Sequence, residues 1–140
     1  MLVPPRYQDV SAKLQQWVQN LTNKLAVNGI ILFGSRARGD FQPYSDVDIL
    51  VVADFGAATF FDRIRKVLQV PFDGPHIEAF CFTPQELEEQ LLGGHVTVLD
   101  SFEEGKVLFG SDFFKSYISQ FNEMKRNGLR KGKVAWFLPR

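Results

Sequence analysis

The chain predicts a single α/β domain, in the broad sense that includes α+β folds. Stretches with helical spacing alternate with short apolar runs such as GIILF (29–33) and DVDILVV (46–52). These runs are rich in β-branched residues and too short for helices. With 140 residues, 45% hydrophobic and 23% charged, the chain is long enough to bury one sizeable core and has an ordinary globular composition.

Taken in order, Val10, Leu14, Trp17, Val18, Leu21 and Leu25 predict a long first helix. Asp9 or Ser11 is available to cap it and Asn28-Gly29 to stop it. GIILF and DVDILVV are the first two strands. ATFFDRIRKVLQV (58–70) predicts a second helix ended by Pro71, with Phe60, Phe61, Ile64, Val67 and Leu68 on its apolar face. HIEAFCFT (76–83) is a third strand, and Pro84 opens the helix PQELEEQLL, which stops at Gly93-Gly94. VTVLDSFEEG fits either a strand or a short helix, KVLFG reads as a strand, and SDFFKSYISQFNEMKRN as a last helix capped by Ser111 or Asp112. The segment 61–63 and Asp112-Phe113-Phe114 read as helix anchors.

Composition narrows the classes of function. No run of about 18 apolar residues exists to span a membrane. The opening MLVPPRYQDV lacks a signal-peptide layout, and a single Cys81 fits a reducing compartment, so the expectation is a cytoplasmic protein. The net charge of zero is unevenly spread: Lys125, Arg126, Arg130, Lys131, Lys133 and Arg140 lie beyond the last acid. This suggests a domain over 1–127 and a basic tail over 128–140. The tail either recruits an acidic partner or packs back through Trp136 and Phe137.

The informative stretch is LFGSRARGDFQPYSDVDILVV (32–52). Strand side chains alternate, so Asp46 and Asp48 share one face while Val47, Ile49 and Val51 fill the other. Two crowded carboxylates are costly unless they are solvated or neutralised, and hard oxygen donors in pairs suit Mg²⁺. Upstream, Gly34 permits a tight turn whose N–H groups, together with the Ser35 hydroxyl, can cradle phosphate; Arg36 and Arg38 add charge. The run contains neither GxxxxGK[ST] nor GxGxxG. Glu78, inside an otherwise apolar strand, completes a triad if that strand lies beside DVDILVV, as third metal ligand or as the base for an attacking hydroxyl.

With a Gly-Ser turn, a loop of about ten residues, DxD and an apolar strand, the stretch resembles the signature of the DNA polymerase β-like nucleotidyltransferases. Among these, the minimal members related to the kanamycin nucleotidyltransferase domain are the most similar. The resemblance implies a small mixed sheet with helices packed on one side. It also implies ATP or another NTP as donor, and Mg²⁺-dependent transfer of a nucleoside monophosphate to a hydroxyl. By the same resemblance Gly34 and Ser35 bind the terminal phosphates, with Arg36 and Arg38 as further contacts. Asp46, Asp48 and Glu78 are the metal and catalytic residues. A HEPN-type helical partner in a toxin–antitoxin pair is a further implication. The alternatives are a nucleotide- or partner-binding module without turnover, and an RNA-modifying enzyme. Neutral composition disfavours a nucleic-acid partner.

Overall fold

A computed structural model describes residues 9–139. Four strands, β1 (Val27–Phe33), β2 (Val47–Ala53), β3 (Ile77–Phe82) and β4 (Lys106–Phe109), form one sheet in the order β3-β2-β1-β4. β2 runs parallel to β3 and antiparallel to β1, which in turn pairs antiparallel with β4. The fold class expected from sequence, a mixed sheet flanked by helices, is the one observed.

The helices do not all share one face. Ile31, Phe33, Leu50 and Val52 pack under α4 (Pro84–Leu92), α5 (Val96–Glu104) and α6 (Ser111–Arg126). Ile30, Leu32, Val47, Ile49, Val51, Ile77, Ala79 and Cys81 pack under α1 (Ser11–Lys24) and α3 (Phe60–Leu68). Interior strand β2 is apolar on both sides, so one helical layer would leave half of it wet. The expected one-sided arrangement therefore becomes two layers.

Local chemistry sets most boundaries. Asp9 accepts hydrogen bonds from the Ser11 N–H and hydroxyl as α1 begins. Leu14, Trp17, Val18 and Leu21 form its buried stripe, and the Trp17 indole N–H donates to the Val70 carbonyl at 3.1 Å. α1 ends before the predicted Asn28-Gly29 stop, because Leu25 is already extended, and both of those residues belong to β1. Gly29 serves packing there: a Cβ on it would lie 2.4 Å from the Phe114 ring. α4 opens on a reciprocal capping box between Thr83 and Glu86. α5 resolves the strand-or-helix ambiguity as a helix, and α6 follows Gly110 without a side-chain cap from Ser111 or Asp112.

The expected apolar face of α3 is only partly used. Val67 is buried and Ile64 packs beside it, but Phe60 and Phe61 are 58% and 72% exposed and stack edge to face on each other. Phe55, in the preceding loop, is buried in that core instead. Phe61 is therefore not an anchor, whereas Phe114 in α6 is fully buried.

Beyond α6, β5 (Arg130–Lys131) and β6 (Trp136–Phe137) pair as a small antiparallel ribbon. Leu129 is buried, Trp136 meets Phe121 edge-on, and its indole N–H donates to Asp100 at 2.8 Å. Lys131 also binds Asp100, Lys125 binds Glu103, and Arg126 binds Glu123. Among the described residues, three of the five cations beyond Glu123 thus hold acids of this chain. Trp136→Ala should cost about 2 kcal/mol in denaturant unfolding, by loss of packing and stranding of the Asp100 contact. Val134→Ser, at a position 98% exposed, should stay within about 0.5 kcal/mol of wild type.

Candidate active site

The site forms where β1 gives way to a turn and β2 begins. Gly34 leaves β1 with φ +76° and ψ −162°, and a single helical turn, α2 (Ser35–Arg38), follows. The Gly34 carbonyl accepts the N–H groups of Ala37 and Arg38, both at 3.0 Å, which fixes that turn. Glycine is required at position 34 for two separate reasons. Its φ lies where side-chain-bearing residues are strained, and an added Cβ would sit 2.2 Å from Asp48 Oδ2. The Gly-Ser turn and the second aspartate of DVD are therefore packed against each other.

Asp48 faces Phe33 of β1 on one side and Glu78 of β3 on the other in the strand register. Asp46 lies one residue before β2 and is exposed, while Asp48 is half-buried. Burial first, then the nearby charges of Asp46 and Glu78, push the Asp48 pKa upward; Arg38 opposes this shift and Glu104 adds to it. Asp48 thus feels the charges of both Asp46 and Glu78. Glu78 also lies 3.4 Å from His76, an exposed residue just before β3.

The two arginines divide. Arg38 is partly exposed and its Nη1 donates to both Glu104 oxygens, at 3.0 and 2.9 Å, while its Nε reaches Asp40. Arg36 is only 7% exposed and turned into the loop. Its Nε donates to the Ser45 carbonyl, its Nη2 to those of Pro43 and Gln42, and its guanidinium lies 4.5 Å from the Phe41 ring centre. In this structure Arg36 braces the loop that delivers Asp46.

Glu104 was missed by sequence reasoning. It ends α5, is 70 residues from Gly34 in sequence, and accepts the Gly34 N–H at 3.0 Å. Its segment reads as either strand or helix, so no side-chain direction could be assigned to it. Cys81 points to the opposite core, where burial pushes its thiol up to about 12, consistent with a packing role.

For a metal, the donor chemistry fits: Asp46 just before β2 and Asp48 on it, near enough for the charge of one to act on the other, are the hard oxygen ligands that a divalent cation neutralises. Among the described residues, no three His, Cys, Asp or Glu side chains converge into a ready metal cluster. The fit therefore rests on the Asp46–Asp48 pair with Glu78 beside it. No helix among the described residues is long and apolar enough to cross a membrane.

Residues 14–125 match the family model of the nucleotidyltransferase domain. The chain belongs to this family. A relative from Methanocaldococcus jannaschii, bearing the name "Putative protein adenylyltransferase", is 40% identical over 57 residues, or 39% of this chain. The matched part spans 57% of that relative's length. A chain from a tyrosine-to-alanine variant of the MntA–HpeT toxin–antitoxin complex has the same fold, at 20% identity and a TM-score of 0.52. That likeness covers 85% of this chain and 88% of the other. A complex of tri-AMPylated Shewanella oneidensis HEPN toxin with MNT antitoxin gives 18% identity over 86% of this chain and 87% of the other, with a TM-score of 0.46.

The Gly34–Asp48 contact predicts coupling. Gly34→Ala should destabilise by about 2–4 kcal/mol through strain and overlap, and Asp48→Ala in the same chain should recover the overlap part. A double-mutant cycle by urea unfolding would read that non-additivity; additive effects would mean that the two groups do not touch.

Asp48 also predicts a pH dependence. Folding raises its pKa, so its ionisation opposes folding. That cost is absent at pH values well below the ordinary aspartate range, where both states are protonated. It grows through that range and is complete above the folded-state pKa. Asp48→Asn should therefore melt higher than wild type at neutral pH, with the gain vanishing in acid.

Proposed function

We propose that this nucleotidyltransferase-family chain transfers a nucleoside monophosphate, AMP from ATP, to a hydroxyl on a protein partner. The observation that carries the reading is the packing of the Gly34 turn against Asp48, with Asp46 and Glu78 beside it. A phosphate-binding turn and a carboxylate pair in contact are what a metal-bound triphosphate needs, and a structural turn has no use for crowded like charges.

In this reading the Gly34 N–H, the Ser35 hydroxyl and Arg38 receive the donor's terminal phosphates. Asp46 and Asp48 hold one or two Mg²⁺ ions, with Glu78 as a third oxygen donor or as base. When bound, Mg²⁺ would supply positive charge to the reacting phosphate oxygens. The acceptor hydroxyl oxygen bonds to the α-phosphorus, the bond from that phosphorus to the bridging oxygen of pyrophosphate breaks, and Glu78 takes the hydroxyl proton. Arg36 contributes by holding the 39–45 loop, and hence Asp46, in place.

Adenylyl transfer to a protein is supported by the name of the M. jannaschii relative; a HEPN-type toxin as acceptor is what the resemblance of the 32–52 stretch to the minimal nucleotidyltransferases implies. A small-molecule hydroxyl is the alternative acceptor.

Calorimetry with Mg·ATP is the first test: Asp46→Asn and Asp48→Asn should each weaken binding at least about tenfold while the chain stays folded. Unchanged affinity in both would place the nucleotide elsewhere. Glu78→Gln separates base from ligand. If Glu78 is the base, ATP affinity holds while transfer to a partner co-purified from the native host, read as a mass increase, falls about 10²–10⁴-fold. If it is a ligand, both fall. Undiminished transfer would remove Glu78 from the chemistry.

A further inference from the structure

The anion-binding donors of the Gly34 turn are already engaged by an anion of the chain itself. One carboxylate, Glu104, accepts the Gly34 N–H at 3.0 Å and Arg38 Nη1 at 3.0 and 2.9 Å. Its side chain is 12% exposed, so it lies largely withdrawn from water against the turn. It takes both the backbone donor and the neighbouring guanidinium that an incoming phosphate would use. Turn geometry alone does not call for this acid. Gly34 and α2 are fixed by the Gly34 carbonyl's own bonds to Ala37 and Arg38, and the loop beyond by Arg36. A further carboxylate near Asp48 adds repulsion that an amide would avoid.

We propose that Glu104 is an internal anion latch: it fills the phosphate cradle in the empty protein and is displaced by the donor's polyphosphate. The inference rests on the nucleotide reading of the site. Displacement passes Arg38 and the Gly34 N–H from carboxylate to phosphate, so the observed affinity is the difference between two anions competing for the same donors. The consequence is selectivity by charge. A polyphosphate carrying several charges and a metal outcompetes a singly charged carboxylate, whereas inorganic phosphate gains little over it.

Calorimetry on the full chain with magnesium tripolyphosphate, Mg·ATP and inorganic phosphate tests this. Glu104→Gln keeps the shape and removes the charge, and should tighten tripolyphosphate and ATP by about three- to tenfold. It should also raise inorganic phosphate affinity toward that of tripolyphosphate, while Arg38→Gln weakens all three. Unchanged or weaker polyphosphate binding in Glu104→Gln overturns the latch and shows a mere brace for the turn. Because Glu104 also bonds the turn itself, a second measurement uses the unaltered protein. The ¹⁵N–¹H resonance of Gly34 should move saturably as tripolyphosphate is added, and a stationary resonance also overturns the proposal. ATP binding equally to wild type and Glu104→Gln sinks the latch and leaves the nucleotide reading standing. Tripolyphosphate tightened by the variant, with ATP unbound by either form, sinks the nucleotide reading and upholds the latch.

Discussion

A Cβ at position 34 has nowhere to go. The turn after β1 is drawn so close to Asp48 that only hydrogen fits between backbone and carboxylate, and the rest of the site follows from that contact. It sets the height of the turn above the strand ends and points the Gly34 N–H toward the α5 side of the sheet, where it meets Glu104. It also places Asp48 between the turn and Glu78, half-withdrawn from water, which is why its ionisation is resisted. With looser packing Asp48 would be solvated, as Asp46 and Glu78 are.

The surrounding architecture holds this contact from both faces. β2 carries Asp48 on an interior strand whose odd residues lock into the α1–α3 layer and whose even residues lock into the α4–α6 layer. The strand cannot slip by one residue without moving its carboxylates to the other face and its aliphatic residues into water. The parallel neighbour β3 then sets Glu78 level with Asp48 through six consecutive paired positions. Electrostatic strain at the strand ends is thus anchored by apolar burial a few residues farther along the same strands.

The periphery divides between closure and reach. The C-terminal ribbon closes the α5–α6 side, with Trp136 and Lys131 both held by Asp100, while Arg130 and Phe137 stay exposed. Around the turn, Arg36 is committed inward to loop carbonyls while Arg38 stays partly exposed beside the carboxylates. Two arginines separated by one residue therefore have opposite fates, as expected from a single helical turn that points its successive residues to different sides.

Periodicity and glycine placement determined much in advance. The strands GIILF, DVDILVV and HIEAFCFT and the helix opened by Pro84 follow from alternation and capping, which act over a few residues. The pairing of β2 with β3 was legible only as a condition, and the sheet order fulfilled it. Other features were settled by contacts distant in sequence. Gly29 is kept small by Phe114, not by a helix stop, and Phe55 takes the core position that Phe60 and Phe61 leave. Arg36 turns inward because loop carbonyls need donors, and Glu104 reaches Gly34 because α5 is a helix ending beside the turn. Local sequence encodes which way a side chain points along its own element, whereas which distant group it meets depends on how the elements stack. That is why the carboxylate pair could be read from the chain, and the acid filling the cradle beside it could not.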